Sequence, residues 1–321
     1  MNVITWNCQG LGNSHTVCEL CGFVRLYHPK LVFLSETRIN AVRARNLVWH
    51  LGLHSLANSC VGLSCGLALF WDEGLNVMLL EQDEHFFDIL IKESPDQDPW
   101  WVTFVYGEPR VENRRSMWDR LRGLNDRWDG PWLMMGDFNE VMWSFEHFSE
   151  TPRPERQMLD FREVLSHCDL HDLGFSGLPW TYNNNQSGRH NVRVRLDRGV
   201  ANAAWSASFP SSSVSHISSA CSDHKVLVLS HGNEQGVEMA SPCFRYEIMW
   251  ERDEALGVEI NKAWSRRNPG SDLDPLRSWS REKFGHVTRD IERLRKELDD
   301  LEWEDPVGNR GVIHSKLRIM N

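Results

Sequence analysis

The apolar residues of this chain come in short runs, and their length limits what the chain can fold into. Val102-Thr103-Phe104-Val105-Tyr106 is typical: it is strand-sized, far short of the ~18 residues that a membrane-crossing helix needs. Similar runs recur at residues 3–6, 31–35, 66–71, 76–80, 86–91, 101–106, 132–135, 192–196, 214–218 and 226–230, bounded by Gly, Pro, Asn, Asp or Ser, and are read as strands. Helical spacing intervenes at residues 14–28, where Val17, Leu20, Cys21, Val24 and Tyr27 recur between a cap at Ser14 or Thr16 and a stop at Pro29. Further helices are expected near 41–51, 113–128 and 154–167. Several strands follow one another with only turns between, so a single parallel sheet with alternating helices is excluded. The expected fold is an α/β four-layer sandwich of two mixed sheets flanked by helices. With 321 residues, 41% of them hydrophobic, the chain can bury such a core.

Charge density changes along the chain. Residues 231–321 hold 15 Lys/Arg and 18 Asp/Glu, against 20 and 27 in the much longer stretch 1–230. The change falls near His231-Gly232-Asn233-Glu234-Gln235-Gly236, which reads as a linker. The expected organisation is a domain over 1–231, a linker over 232–242 and a helical region over 243–321. In that last region Leu256 to Trp264 has helical spacing, and Ile291, Leu294, Leu298 and Leu301 recur between interspersed charges, the pattern of a solvated helical pair or coiled coil.

The net charge of −10 excludes a general electrostatic grip on nucleic acid, so any polyanion must be held locally or through metal. Met1-Asn2-Val3-Ile4-Thr5-Trp6-Asn7 has no basic leader or long apolar stretch, which argues against a secretory signal. The eight cysteines (8, 18, 21, 60, 65, 168, 221, 243) are then expected as reduced thiols of an intracellular protein. Cys18-x-x-Cys21 with His15 upstream has a zinc-like look, but Cys60 and Cys65 have the wrong spacing and no His pair follows, so Cys18 and Cys21 are assigned to an amphipathic helix.

Polar residues gather where strands stop. Asn7 ends the first strand, Glu36 follows the second, and Gly136-Asp137-Phe138-Asn139 delivers Asp137 and Asn139 two apart, on one side of an extended backbone. Cys221-Ser222-Asp223-His224 precedes the last strand. Loops at strand ends of a layered α/β fold build sites, so these clusters can converge. Glu36 and Asn7 offer hard oxygens suited to Mg²⁺. Asp197 is available to orient His224, and Asp137, with Asn139 beside it, remains as base or orienter for an attacking water, a set suited to metal-assisted phosphodiester hydrolysis. Each cluster alone has an ordinary reading: a surface Glu, an Asx turn, a helix cap. The segment from Asn183 to Asn191 has the composition of a hairpin tip, and Asn185 and Arg189 could meet base edges or a narrow minor groove, or belong to a plain surface loop.

In order and spacing, Asn7, Glu36, Tyr106, Gly136-Asp137-Phe138-Asn139, Asp197 and Ser222-Asp223-His224 resemble the endonuclease/exonuclease/phosphatase superfamily over about residues 1–230. The resemblance implies that Glu36 and Asn7 bind the metal, Mg²⁺ with Mn²⁺ as the alternative. It implies that Tyr106 contacts the phosphate or supports the metal side, that Asp137 and Asn139 align the water, and that Asp197 orients His224 with Asp223 alongside. Thr181, Ser222, Asn185 and Arg189 would be substrate contacts. Gln9 stands where the apurinic endonucleases carry an acidic residue, which counts against a repair enzyme. Gly177-Leu178-Pro179-Trp180-Thr181-Tyr182-Asn183, Arg195-Leu196-Asp197-Arg198 and Phe138-Asn139-Glu140 are similar to plant LINE-type retroelement endonucleases. Phe244-Arg245-Tyr246-Glu247-x-x-Trp250 and Trp279-Ser280-x-x-x-Phe284-Gly285-His286-Val287 resemble the spacer that leads into the reverse transcriptase of such elements, and no polymerase motif follows. The resemblance thus implies a truncated element product or a gene derived from one. It would be a nuclear, Mg²⁺-dependent enzyme that nicks double-stranded DNA without a membrane, with element RNA or reverse transcriptase as partners in a full-length relative. The other readings are a phosphoinositide or sphingomyelin phosphodiesterase of the same superfamily, disfavoured by the lack of an anchor or polybasic patch, and an inactive retroelement-derived interaction protein.

Overall fold

The strand runs form two six-stranded sheets in a computed structural model, which describes residues 1–47, 51–58, 66–127, 129–186, 188–231, 255–264, 278–279, 282 and 287–304. Cys60, Cys65, Cys243, the linker and the Phe244-to-Trp250 motif lie outside those residues. The strands are β1 (Asn2–Asn7), β2 (Leu31–Ser35), β3 (His54–Ala57), β4 (Ala68–Trp71), β5 (Asn76–Gln82), β6 (Phe86–Lys92), β7 (Trp100–Tyr106) and β8 (Trp132–Asp137). They continue as β9 (His147–Phe148), β10 (His171–Asp172), β11 (Tyr182–Asn183), β12 (Arg193–Val194), β13 (Asp197–Ala201), β14 (Ser213–Ile217) and β15 (Val226–Ser230). One sheet has the order β14-β15-β1-β2-β4-β3, the other β10-β13-β8-β7-β6-β5, and β11-β12-β9 form a small third sheet. Both large sheets are mixed: β1 pairs parallel with β2 and β7 parallel with β8, while β15 and β13 flank them antiparallel.

Alternation along the strands makes the layers. Val3, Leu31 and Phe33 point into a core shared with Phe87, Phe104, Met135 and Leu227, between the two large sheets. Their neighbours Ile4, Trp6, Val32 and Leu34 point the other way, onto Leu20 and Phe23 of the helix Ser14–Tyr27. Beyond the second sheet, Trp101, Trp132 and Met134 pack with the helices Arg114–Asn125 and Glu155–His167 through Trp118, Leu121 and Phe161. Strands apolar on both faces are what a sheet covered on both sides requires. The expected mixed α/β sandwich is therefore the observed fold. The chain divides into two compact units, Met1–Gly232 with Leu298–Asn321, and Asn233–Glu297. The helices Leu256–Trp264 and Val287–Glu304 fall after the sandwich. Among the described residues no helix is long and apolar enough to cross a membrane.

Three local expectations change. Asn13, not Ser14 or Thr16, caps the first helix, its side-chain oxygen accepting from the His15 N–H at 3.0 Å. The run 192–196 is not one strand: Thr181 Oγ1 accepts the N–H groups of both Leu196 and Asp197 at 2.9 Å, drawing the chain off β12 and into β13. Asp197 therefore opens a strand and pairs directly with Asp137. The helix expected over 41–51 is described as Ala41–Arg45.

Candidate active site

The sheet registers decide what meets what. Asn7 ends β1 beside Ser35, so Glu36 is the next residue off β2; Tyr106 ends β7 beside Asp137, and Asp137 faces Asp197 across β8 and β13. The ends of both parallel pairs thus bring their polar residues together between the sheets. Gly136 permits this in the second sheet. Its φ is +146°, and a Cβ there would lie 2.1 Å from the Val105 carbonyl oxygen, so no other residue fits without moving β7.

Asn7 joins the two sheets. Its Nδ2 donates to Glu36 Oε1 and to Asp137 Oδ2, each at 3.0 Å, and its Oδ1 is buried with no partner. Tyr106 donates its hydroxyl to Glu36 Oε1 at 3.0 Å, and Arg38 reaches Glu36 Oε2 at 2.6 Å. Burial opposes charge on Glu36, but these donors from Asn7, Arg38 and Tyr106 outweigh it and hold the carboxyl below its ordinary range. Gln9, Glu36, Arg38 and Asn139 all have φ near +50°, a left-handed backbone that side chains rarely adopt, and all lie just beyond strand ends.

His224 lies between carboxylates. Its Nδ1 is 2.9 Å from Asp197 Oδ2, and its Nε2 is 3.9 Å from Asp137 Oδ2 and 4.0 Å from Asp223 Oδ1. Burial disfavours the imidazolium, yet Asp197, Asp137 and Asp223 together lift its pKa to about 10, so the ring is charged at neutral pH. Asp137 moves the other way from an ordinary acid: burial, then the neighbouring Asp197 charge, raise it to about 7. Asp223 is raised as well, by burial. Ser222 fixes the loop carrying His224, its hydroxyl donating to the Asn7 carbonyl at 2.7 Å while accepting from the His224 N–H at 3.0 Å.

Asn139 is not on an extended backbone with Asp137. The chain turns left-handed there, so that its N–H donates to Asp137 Oδ1 at 2.8 Å and its Nδ2 to the Gly107 carbonyl at 2.8 Å. Thr181 is fully buried beneath the start of β13, with its hydroxyl taken up by Leu196 and Asp197. Asn185 and Arg189 are not drawn into this group. They lie on the hairpin tip, where Arg189 Nε is 3.6 Å from Glu150 Oε1 and its side chain is 85% exposed. Sequence reasoning missed Arg38, a plain basic residue in sequence, and Tyr182, whose ring packs 5.1 Å from that of His224.

The donors suit a hard cation. Asp137, Asp197 and His224 form a buried group with ligand atoms within 4.8 Å of one another that could hold a metal ion once the His224 ring gives up a proton, and no Cys18 or Cys21 cluster of this kind exists among the described residues. The unpaired Asn7 Oδ1 beside the Glu36 carboxylate is a second oxygen set left without a partner inside the fold, which fits an oxygen-seeking ion.

Solved structures share this architecture. The endonuclease domain of TRAS1, a telomere-specific non-LTR retrotransposon, superposes with a TM-score of 0.55 at 15% identity, covering 73% of this chain and 99% of that one. An AP endonuclease from Archaeoglobus fulgidus gives a TM-score of 0.56 at 14% identity over 72% of this chain and 99% of its own. TDP2 from D. rerio, complexed with a single-strand DNA product, gives 0.51 at 15% identity over 72% and 98%. Likeness at these identities is a likeness of fold. No curated protein sequence matches the chain. The model of the Endonuclease/Exonuclease/phosphatase family matches residues 4–224, the whole span from β1 to His224, and the chain therefore belongs to that family.

Proposed function

We propose that this chain is a divalent-metal-dependent endonuclease that nicks double-stranded DNA by phosphodiester hydrolysis. The observation that carries the proposal is a charged His224 held by Asp197 and facing Asp137, beside an Asn7 oxygen that nothing in the fold uses. Glu36 and Asn7 would hold Mg²⁺, or Mn²⁺ in its place. When bound, the ion supplies charge for a phosphoryl oxygen as negative charge builds there. His224 donates from Nε2 to the phosphate, and Asp197 fixes its ring and stabilises its charge. Asp137, with a pKa raised to about 7, can take a proton from water near neutral pH, and the Asn139 N–H holds its other oxygen still. Tyr106 and Ser222 position Glu36 and Asn7. Asn185 and Arg189, at the hairpin tip, are the proposed DNA contacts, and the motifs of the retroelement branch together with the TRAS1 likeness favour target-site nicking in the nucleus by an element-derived protein. Element RNA or a reverse transcriptase is the partner proposed for a full-length relative.

The test is supercoiled plasmid incubated with the purified chain, with Mg²⁺ or with EDTA. Relaxed circles should appear only with metal, and His224→Ala should slow them by about two orders of magnitude or more, the range for a proton-handling residue. Equal nicking by a folded His224→Ala protein overturns the assignment. Headgroup release from phosphoinositide or sphingomyelin without nicking turns it to the lipid reading, and neither activity to an interaction protein.

A further inference from the structure

His224 lies near the end of a loop, residues 218–225, that joins β14 to β15 beyond their last pair, Ile217 and Val226. The middle of the loop is well held: Glu19 of the first helix accepts from the Ser219 hydroxyl and the N–H groups of Ala220 and Cys221, the Ser222 hydroxyl donates to the Asn7 carbonyl, the Asn183 N–H donates to the Asp223 carbonyl at 3.0 Å, and the Lys225 N–H donates to the Thr181 carbonyl at 2.7 Å. The base of the loop needs something more. Lys225, next to His224, has a side chain only 7% exposed, and a buried ammonium without anionic partners is costly.

Its partners come from the C-terminal helix. Lys225 Nζ donates to Glu302 Oε2 at 3.1 Å, lies 3.7 Å from Asp299 Oδ1, and donates to Ser218 Oγ at 2.6 Å; that hydroxyl in turn donates to Asp299 Oδ1 at 2.6 Å. The two ends of the loop are therefore tied to each other directly and through Asp299, which meets both, while Glu302 meets Lys225. The same stretch of helix is anchored by Leu298, fully buried, while the largely exposed Trp303 lays its ring parallel to that of Trp180 with centroids 5.9 Å apart. Trp180 precedes Thr181, the residue that sets the start of β13 and so the place of Asp197.

We infer that residues 298–303 are a working part of the nuclease unit, in which Asp299 and Glu302 act as positioning residues: they neutralise Lys225 and clamp the loop that carries His224. The nuclease then does not end at the linker read from the sequence. Only the kinetic arm of the test rests on the nuclease reading.

The experiment uses the full chain with Asp299→Asn and Glu302→Gln together, which keep size and remove both charges. Hydrogen–deuterium exchange of the amides in 218–225 should quicken about tenfold or more, and adding Lys225→Met should return it toward wild type, because the cation that needed the carboxylates is gone. In plasmid nicking, kcat should fall about tenfold or more while KM for DNA stays within about twofold, as for a displaced catalytic group, and the triple variant should recover most of the loss. Unchanged loop exchange overturns the clamp, as does equal acceleration with Lys225→Met present. A lower KM with unchanged kcat also overturns it, by making the carboxylates mere repellents of DNA. If the double variant does not fold, rescue of folding by Lys225→Met supports the clamp and its failure overturns it; Glu302→Gln alone gives the same exchange readout in a milder form. If the wild type does not nick at all, the nuclease reading fails while the exchange arm still decides the clamp.

Discussion

Two buried ionic clusters lie within four residues of one another along Arg195-Leu196-Asp197-Arg198, and they differ in one respect. Arg195 and Arg198 serve Glu146 and Asp172: all four carboxylate oxygens meet a guanidinium nitrogen at 2.8–3.0 Å. Burial would raise both acids, but Arg198 and Arg195 outweigh it, and both are held below the ordinary carboxylate range. Asp197 belongs to the other cluster, where acids outnumber cations: burial and Asp197 raise Asp137, and Asn7 Oδ1 has no partner. A cluster in charge balance ties strands together. One with surplus acid and an unused oxygen holds groups that the fold itself does not satisfy, and that imbalance, not burial, sets the two clusters apart.

The largest effect that would sharpen this contrast is in the balanced cluster. Arg198 is fully buried, and Arg198→Met leaves Glu146 and Asp172 with one of their two guanidinium partners. Unfolding by urea should show a loss of about 3–5 kcal/mol, the cost of stranding buried charge. A loss under about 1 kcal/mol would break the comparison, since the network would then hold nothing together.

The contrast also explains what could be read from the sequence. Asn7, Glu36 and Asp137 were legible because each stands at the end of an apolar run, and His224 because it stands just before one; a strand end in a covered sheet has few places to point its polar side chain. Asp197 could be read from the sequence as a partner for His224, but its meeting with Asp137 and the separate role of Arg195 and Arg198 could not. Only the pairing of β13 with β8 sends Asp197 to Asp137, and that pairing depends on the Thr181 hydroxyl capturing two N–H groups sixteen and fifteen residues away. Strands of two residues, such as β9 and β11, give no periodicity to find. The left-handed turn at Asn139 was hidden by the same logic, since alternation assumes a backbone that stays extended.

A pH scan should give the two clusters opposite signs. In EDTA, Asp137 has a folded pKa of about 7 against an ordinary 3.8, so its ionisation favours the unfolded chain and the cost accrues as pH rises from about 4 to 7. Asp137→Asn should therefore melt higher than wild type by about 2–4 °C at pH 8, with the gap closing toward pH 4. Glu146→Gln should do the reverse. Its folded pKa is lowered, so its stabilisation is present above the unfolded value and lost in acid, and the variant should be weakest at neutral pH and nearest wild type below it. Equal and parallel losses from both substitutions would erase the distinction.

The smallest effect concerns the hairpin tip, which is neither balanced ions nor surplus acid. Its amides serve one another: Asn184 Nδ2 donates to the His190 carbonyl at 2.8 Å, Asn191 Nδ2 to Asn183 Oδ1 and to the Gln186 carbonyl at 3.0 Å, and Asn184 Oδ1 accepts from the Val192 N–H at 2.9 Å. Such a tip keeps its shape without help from the site, while the Arg189 side chain remains 85% exposed. It can then meet DNA without affecting Asp137 or His224. Replacing residues 184–190 with a short Gly/Ser turn should leave the metal-dependent nicking rate of plasmid within about threefold, because no group that handles the phosphate is touched. The positions of the nicks should shift, since Arg189 in a narrow minor groove reads shape and potential and the replacement reads neither. Sequencing the nick ends of both proteins decides between the two outcomes: an unchanged distribution returns the tip to a self-bonded surface hairpin, and a rate loss as large as that of His224→Ala would make it part of the unsatisfied cluster.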